Sequence, residues 1–465
     1  MAGTFFGIHV AYSGLMAQRR AMDVVGYNIA HANDPTYKRQ RLVMSEMAVL
    51  AQSQEANVLN NAPFGAGVSS QSIERIRDAI VENRVRMASQ AAANWEYRAQ
   101  MMRQLESLIG EPSDNGLQAT LDQFWASWQK AAVTPESVPI RKALLEDAEA
   151  LCQQIRYVYS QLRSVIDDLN MAAADRVNRI NAIVQEISRL NSEIGSRTAG
   201  EVPANDLLNR RDALVIELSK LAAISQHGEM KDDFVVSIGG RVLIQGSKIN
   251  LLTTETDANG NLAVRWASDS EDVINTGGEL RAIIDLRDTV VSGYLAQLDG
   301  IASALVENVN ALHRTGMTLT GQPGGDFFAT GSTASTISLD PAIEGHPELI
   351  AASVTGAVGD GELARQISLL KDVPVSNGQT INQLYRALVG DIGTAASVAD
   401  RQVLTHRLSL EQFTTQQQSI SGVSLDEEMT NMIKFQQAYN ASARVLTVMD
   451  EMLDVIIERT GVVGR

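Results

Sequence analysis

The C-terminal segment carries the sequence feature that most restricts how this chain can fold. From residue 424 onward, large residues recur at intervals of seven, and further apolar residues follow some of them by three positions. The first set is Leu425, Met432, Tyr439, Leu446 and Leu453, and the second is Phe435, Met449 and Ile456. This heptad repeat predicts a helix that packs along a narrow seam, as in a coiled coil. Because an unpaired seam would leave a long apolar stripe in water, the helix needs a partner.

The N-terminal segment offers that partner, because it contains a similar repeat. Apolar residues again follow one another at intervals of seven, at Ile8, Leu15, Met22 and Ile29. We therefore expect the two chain ends to form the two strands of one coiled coil. The resulting terminal core domain is predicted to comprise residues 1–62 and 415–465.

Two signals mark the start of the C-terminal helix. Ser424 and Glu427 have the spacing of a capping box, in which each side chain bonds the backbone amide of the other residue. Acidic residues, Asp426, Glu427 and Glu428, fill the first turn, where the helix dipole favours negative charge. That structural explanation is sufficient for the acidic cluster.

Composition restricts the function classes that remain. At 465 residues the chain is too long for a single core, and we expect about three domains. The formal net charge of −16, without a basic stripe, argues against binding to nucleic acid. No uninterrupted apolar run reaches the length of a membrane span. The N-terminus lacks the basic region of a secretory signal, so we expect export to proceed without a cleaved signal peptide.

The middle of the chain alternates between helical and strand-like patterns, which predicts a mainly α fold with a β-rich insertion. Helical spacing covers residues 63–231, 277–315 and 361–414, which form a predicted long-helix bundle domain. Within it, residues 144–194 predict one helix of roughly 55 residues. Residues 42–61 have a weak pattern, and residues 60–67 are interpreted as a linker.

Strand-like patterns in residues 232–276 and 316–360 predict an outer β domain. Two hairpins are expected in the first range, with turns at Gly239-Gly240 and at Asn259-Gly260. A short strand is expected at 336–339 in the second. Because helical segments flank the β-rich ones, we infer a nested, discontinuous arrangement of the three domains.

A search for reactive groups finds no catalytic constellation. The six histidines are scattered, and no pair has the spacing of a metal site on one helix. The single cysteine, Cys152, lies on a helical pattern and is interpreted as a buried apolar residue. We therefore expect a protein without enzymatic activity, metal or cofactor.

Longer motifs carry a resemblance to a known family. At the N-terminus these are SGLMA at 13–17, NIAHANDPTY at 28–37 and RQR at 39–41. At the C-terminus they are SGVSLDEEM at 421–429, FQQAY at 435–439 and ASAR at 441–444, and in the middle GEL at 278–280 and GGDFF at 324–328. Together they resemble the rod, hook and hook-associated proteins that form the axis of the bacterial flagellum, and the hook-associated members most closely.

This resemblance implies a structural subunit that polymerises at the distal end of the hook and forms the junction on which the filament is built. The implied partners are further copies of the chain, the hook protein, a second hook-filament junction protein, the flagellar type III export apparatus and an export chaperone at the C-terminal helix. The implied location is extracellular, on the flagellum. Both terminal helices would line the inner core of the tube.

Individual residues can be matched to the family signature. The matching positions are Ser13, Gly14, Leu15, Asn28, Ile29, Ala30, Asn33, Pro35 and Tyr37. The chain departs from the signature at His31, Asp34 and Thr36, where Asn, Thr and Gly are usual. Since Thr disfavours a positive φ, the turn at Pro35-Thr36 is predicted to be type I and not type II. Asn28 has two open interpretations, a polar residue that ends a helix, or a donor in a capping or intersubunit hydrogen bond.

Other functions remain open at this point. The chain could be a hook or distal-rod component, although its long helices between residues 76 and 221 argue against that. A rod-associated wall hydrolase and an intracellular coiled-coil scaffold are further alternatives. For the junction protein, we expect the chain ends to become ordered only on assembly, because a lone two-helix seam is weak.

Overall fold

A computed structural model describes residues 6–47, 67–114, 116–200, 202–229, 233–258, 260–274, 276–375 and 378–459. Within these residues the fold is mainly helical, with small antiparallel sheets. The helices are α1 (Phe6–Ala30), α2 (Ala79–Ile109), α3 (Leu117–Val133), α4 (Val138–Ala199), α5 (Asn205–Leu221), α6 (Gly278–Asp285), α7 (Ser292–His313), α8 (Glu362–Leu369), α9 (Ile381–Ser421) and α10 (Leu425–Arg459). The predicted mainly α fold is therefore confirmed.

The strands lie mostly between α5 and α6. They are β1 (Gln40–Glu46), β2 (Val68–Arg75), β3 (Ile224–His227), β4 (Val235–Ile238), β5 (Arg241–Gln245), β6 (Lys248–Ile249), β7 (Leu252–Thr256), β8 (Leu262–Trp266), β9 (Met317–Thr318) and β10 (Ala351–Ser353). Strands β3 to β6 form a four-stranded sheet in sequence order, and β1-β2, β7-β8 and β9-β10 are two-stranded. All described pairings are antiparallel.

Helix α4 is the longest element and organises the helical body. It spans 62 residues, somewhat longer than predicted, and its buried face repeats every three or four residues. Leu151, Ile155, Leu162 and Leu169 on that face are almost fully buried. Helix α3 packs along its first half, and α2 packs along α9. The aromatic residues of α3, Phe124, Trp125 and Trp128, lie wholly inside this core.

Helices α6 and α7 are joined by a π-helical turn, Leu286–Val291, into one helical run. By length and composition this run, Gly278–His313, is apolar enough to cross a membrane, with a mean hydropathy of 1.2. The search for uninterrupted apolar residues did not identify it. Leu298, Ala302 and Leu305 are fully buried against the rest of the body, which is the environment of a core helix in a folded domain.

The β-rich segment agrees with the sequence pattern in part. Both predicted hairpins form, as β4-β5 and as β7-β8. Gly239 and Gly240 turn the first with positive φ values. The second has a longer connection than a two-residue turn, since Thr256 pairs with Leu262, and Asn259 lies outside the described residues. The prediction of a strand at 336–339 is wrong, because residue 336 lies in a turn and the only described strand pairing within this segment is an isolated bridge from Leu339 to Phe328.

The hairpin β1-β2 was missed by the sequence analysis. Residues 42–46 have a weak sequence pattern and no strand was predicted there, but Gln40 pairs with Arg75 and Glu46 with Val68. Most residues of β2 are polar, so the alternation that normally indicates a strand is weak. Residues 48–66, with the predicted domain boundary after residue 62, lie outside the described residues. The division into nested domains stays a prediction, and α9 is continuous across the proposed boundary after residue 414.

The GGDFF segment at 324–328 is held against α7 by two buried polar side chains. Asn310 Oδ1 accepts hydrogen bonds from the amides of Phe327 and Phe328, both at 2.9 Å, and its Nδ2 donates to the carbonyl of Phe328 at 2.7 Å. His313 Nδ1 donates to the carbonyl of Gly325, and its Nε2 accepts from the amide of Ala351, both at 2.8 Å. The ring of His313 is therefore neutral, with its proton on Nδ1.

Acidification is expected to destabilise the body through His313. Burial lowers the pKa of this histidine from 6.5 to about 4. Between these values the unfolded chain binds a proton that the folded chain does not, so stability falls as the pH decreases through this window. By about pH 4, this histidine lowers the free energy of unfolding by about 3 kcal/mol relative to pH 7. Denaturant unfolding at pH 7 and pH 4.5 measures it.

The matched controls for this prediction are two histidine variants. His313→Gln should weaken the fold at both pH values but show a flatter pH dependence than the parent chain. His346 is exposed and pairs with Glu348, so His346→Gln should leave the profile nearly unchanged. An unchanged pH profile in His313→Gln would contradict the assignment.

Candidate assembly site at the two chain ends

Helices α1 and α10 pack against each other in antiparallel orientation. A Cβ atom added to Gly7 would lie 2.7 Å from Cε of Met449, and one added to Gly14 would lie 3.4 Å from Oγ of Ser442. The contact position therefore moves seven residues towards the C-terminus of α1 as it moves seven residues towards the N-terminus of α10. Asn28 and Glu428, which are hydrogen-bonded, continue the same register two heptads further on. The predicted coiled coil between the chain ends is confirmed.

The predicted seam residues are distributed unevenly along this contact. Most are half-buried: Ile8, Leu15, Met22, Ile29, Met432, Phe435, Tyr439, Leu446, Met449 and Leu453. Leu425 and Ile456 are exposed, at 50% and 46%, so the buried part of the seam is shorter than the sequence repeat. Two of the deepest positions of α1, Ala17 and Ala21, are smaller residues that the heptad analysis did not select. Whether the predicted seam residues also contact other subunits stays a prediction.

The turn after α1 has the geometry expected from Pro35-Thr36. The amide of Tyr37 donates to the carbonyl of Asp34 at 3.2 Å, which closes a four-residue turn. Thr36 does not have a positive φ, so the predicted exclusion of a type II turn is confirmed. The Asp34 carboxylate accepts from the amide of Thr36 at 2.8 Å. Asn33 and Pro35 are exposed on this turn, whereas Tyr37 is buried.

Asn28 is the centre of a buried hydrogen-bond network. Its Nδ2 donates to the carbonyl of Gln40 and to Oε2 of Glu428, both at 2.9 Å. Its Oδ1 accepts from the hydroxyl of Tyr37 at 2.7 Å and from the amide of Gln40 at 3.0 Å. All four hydrogen-bonding positions of the amide are therefore filled within the chain. Asn28 lies in the last turn of α1, and these hydrogen bonds join it to the following segment and to α10; a capping or intersubunit role stays a prediction.

Glu428 connects the C-terminal helix to this network. Its side chain is 1% exposed, and Oε1 accepts from Nε of Arg39 at 2.7 Å. The Arg39 amide also donates to the carbonyl of Ser421 at 2.9 Å, at the end of α9. We call Asn28, Tyr37, Arg39, Gln40 and Glu428 the terminal junction. The Arg39 and Glu428 charges of this junction are hydrogen-bonded and removed from water, and these bonds fix the position of α10 on the turn after α1.

The adjacent acid, Glu427, has a different environment. Its side chain is 62% exposed and pairs with Nη1 of Arg39 at 2.6 Å. The predicted capping box is at best half-formed in the described structure, because the amide of Glu427 lies 3.5 Å from Oγ of Ser424 while its carboxylate binds Arg39. The dipole explanation of the acidic cluster was therefore incomplete, since two of its members bind Arg39.

Tyr37 is held as a hydrogen-bond donor. Burial, with the nearby Glu428 carboxylate, raises the pKa of its hydroxyl above the ordinary value of 10. The proton therefore stays on the hydroxyl at physiological pH, and Tyr37 donates to Asn28 and not the reverse.

Asn205 ties the hairpin β1-β2 to α5. Its Nδ2 donates to Oε1 of Gln40 and to the carbonyl of Ile73, both at 3.0 Å.

No group of three or more histidine, cysteine or acidic side chains with the arrangement of a metal site occurs among the described residues. Cys152 is buried, and burial raises the pKa of its thiol to about 12, so it is unreactive at neutral pH. The arrangement at the chain ends is a packing and hydrogen-bonding site.

Comparison with known proteins gives similarity over the whole chain. A family model described as the flagellar hook-associated protein FlgK helical domain matches residues 102–328, and one described as the flagellar basal body rod FlgEFG protein C-terminal matches residues 416–459. The chain is 28% identical to flagellar hook-associated protein 1 of Bacillus subtilis, covering 100% of both chains. It is 26% identical to the protein of the same name from Salmonella typhimurium, covering 97% of this chain and 99% of that one.

A solved structure shares the fold. The flagellar hook junction protein FlgK from Burkholderia pseudomallei superposes with a TM-score of 0.65 and 17% sequence identity, over 73% of this chain and 100% of that chain. The first family model covers the end of α2, helices α3 to α7 and strands β3 to β9, and the second covers the end of α9 and α10.

Proposed function

Because the chain belongs to the flagellar hook-associated protein 1 family, we propose that it is a structural, non-enzymatic subunit that polymerises at the distal end of the hook. There it forms the junction on which the flagellar filament is built. The observation that carries this proposal is an apolar face of α10 that its pairing with α1 leaves uncovered.

This uncovered face lies on the second half of α10 and is separate from the seam. Val445, Val448, Met452 and Val455 follow one another at spacings of three, four and three, which places them on one side of the helix. They are between 46% and 55% exposed, although α1 covers the seam residues beside them. We call these four residues the outer stripe. An apolar row of this kind on a folded monomer indicates a protein contact.

The outer stripe supports packing between copies of the chain in a tube. A helix of 35 residues is about 50 Å long, so neighbouring copies could cover the stripe along a substantial length. Tyr12 and Tyr27, which are also exposed, offer apolar surface on α1. We infer that each two-helix unit packs side by side with others around the inner core.

The individual binding partners of the chain are inferred from the family. We propose that the chain contacts the hook protein on one side and a second hook-filament junction protein on the other. We also propose that it leaves the cell through the flagellar type III export apparatus without a cleaved signal peptide. An export chaperone is proposed to bind α10, since an amphipathic helix with an apolar row suits binding in a groove. A chaperone bound to the outer stripe would then compete with neighbouring copies of the chain for α10.

Replacing Val448 by Asp is expected to block assembly without unfolding the protein. The side chain is exposed in the monomer, so the free energy of unfolding should change by no more than about 0.5 kcal/mol. In the polymer the carboxylate would be buried without a partner, and incorporation should fall at least about tenfold. Quantifying the protein in sheared flagella, and locating it on intact cells by immunogold labelling, measures both outcomes.

Thr447→Asp is the matched control, because it adds the same charge at an exposed neighbouring position away from the outer stripe. It should assemble normally. Equal incorporation of Val448→Asp and Thr447→Asp would show that the outer stripe is not an assembly contact. Labelling of the parent protein at the cell wall and not at the hook-filament boundary would overturn the proposed function itself.

A further inference from the structure

A groove runs between the first turns of α2 and the outer strand of the four-stranded sheet. Strand β3 pairs with β4 on one side only, so the backbone groups of its other edge are not paired within the described sheet. Ala79–Gln90 on the helix side and residues 223–229 on the strand side line the groove. An open strand edge beside a groove is the geometry in which proteins bind extended peptides.

The helix wall of the groove presents apolar side chains to solvent. Ile80 and Met87 lie two helical turns apart and are 67% and 63% exposed, among the highest values for large apolar residues in the described chain. Because they are seven residues apart, they lie on the same side of α2. Two such anchors suit alternate side chains of a strand that runs along β3.

Arg86 lies between these anchors and has no ion-pair partner within 4.0 Å among the described residues. Its one hydrogen bond is from Nη2 to Oδ1 of Asn83, at 3.5 Å. Burial lowers the pKa of this guanidinium, which shows that it is partly removed from water. A partly desolvated arginine without a carboxylate is an incomplete pair.

Glu82 supplies a second unsatisfied group in the same groove. Its residue is 8% exposed, and in the described structure Oε1 has no hydrogen-bond partner. Its other oxygen lies 3.7 Å from Nε of Arg77. A buried carboxylate oxygen without a donor is costly, so the groove wall is not fully satisfied within the described residues.

The charges that line the groove leave one cation without an ion pair in the described part of the chain. Arg77 pairs with Glu229 at 2.8 Å and lies 3.7 Å from Glu82. Arg86 has no such partner among the described residues, so its charge makes the groove attractive to a carboxylate.

We propose that this groove binds an extended, acidic segment of a partner protein, which adds as a strand to the outer edge of β3. A carboxylate of the segment pairs with Arg86, and an apolar side chain packs between Ile80 and Met87. The site lies on the body of the subunit and is separate from the outer stripe. It therefore serves a contact other than the packing of α10.

The test uses the full chain and short peptides in which valine and glutamate alternate, acetylated and amidated at their ends. Binding is measured by titration calorimetry, and protection of the β3 amides by hydrogen exchange. The peptide should bind more weakly as salt concentration rises, and it should protect β3. An analogue with glutamine in place of glutamate should bind about tenfold more weakly. An analogue with alternate N-methylated amides should not bind, because it cannot pair with a strand edge.

Arg86→Gln should weaken binding of the acidic peptide about tenfold, to the level of the glutamine analogue. Arg84→Gln, which changes an exposed arginine on another side of α2 near Phe413, should bind like the parent chain. The proposal is overturned if the acidic peptide does not bind at about 1 mM, or if Arg86→Gln binds it as tightly as the parent. Protection at α10 instead of β3 would likewise overturn it, while leaving the assembly function intact.

Discussion

Replacing Glu428 by Ala should release the C-terminal helix from the turn after α1. The change removes the buried partner of Arg39 and one acceptor of Asn28 at the same time. Loss of one member of a buried pair costs about 3 kcal/mol, because the remaining charge loses its compensation. The loss is local, so amides in the first turns of α10 should exchange about a hundredfold faster, while amides in α4 keep their protection. Hydrogen exchange with mass spectrometry resolves the two regions.

Glu427→Ala is the matched control, because it removes a neighbouring carboxylate that binds the same arginine. Glu427 is mostly exposed, so its ion pair should contribute no more than about 0.5 kcal/mol. Equal effects of Glu427→Ala and Glu428→Ala would mean that burial of Glu428 adds nothing to the stability of the terminal junction. In Arg39→Ala, the further loss caused by Glu428→Ala should shrink, since the two residues act as one pair.

Replacing Asn310 by Ala is expected to give the largest loss of stability in the helical body. The amide satisfies three backbone groups of Phe327 and Phe328, and the residue is 2% exposed. Buried groups left without a partner cost about 1 kcal/mol or more each, so the total is about 4 kcal/mol with the cavity included. Denaturant unfolding followed by tryptophan fluorescence measures it, because Trp128 packs on Phe327 with ring centroids 5.1 Å apart.

Asn308→Ala controls for the change in helix composition. Asn308 lies two residues earlier on the same helix, but its amide only donates to the carbonyl of Ala304 within the helix. Its replacement should change the unfolding free energy by no more than about 0.5 kcal/mol. If both variants lost the same stability, the hydrogen bonds to the GGDFF segment would not be what holds it in place.

Regular periodicity was sufficient to predict the helices and the pairing of the chain ends. The seam from Met432 to Leu453 and the buried face of α4 are repeats that appear in the sequence itself. Helix α5, Asn205–Leu221, lies within the predicted helical range 63–231. Hairpin β1-β2 was not predicted, because its strands bury little apolar surface and are held largely by pairing and by Asn205.

The terminal junction could be predicted only in part. The motifs that carry the resemblance contain all five residues of the terminal junction, but they do not indicate which of these residues bond one another. The helix dipole was sufficient to explain an acidic residue at position 428. The neighbouring sequence does not distinguish Glu428 from Glu427. The distinction depends on which acid faces Arg39 from inside the fold, and that is decided by packing between segments far apart in the chain. Asn310 was missed for the same reason.

The register of α1 on α10 has a consequence for the order in which the molecule is built. Asn28 and Glu428 are separated by 400 residues, and closing a flexible loop of that length costs about 5 kcal/mol of chain entropy. That exceeds what the terminal junction alone contributes, so the ends cannot hold each other while the chain between them is unfolded. Once α2 and α9 pack together, far fewer flexible residues separate Asn28 from Glu428, and the same contact becomes favourable. Closure of the ends is thus a signal that α2 and α9 have already packed together.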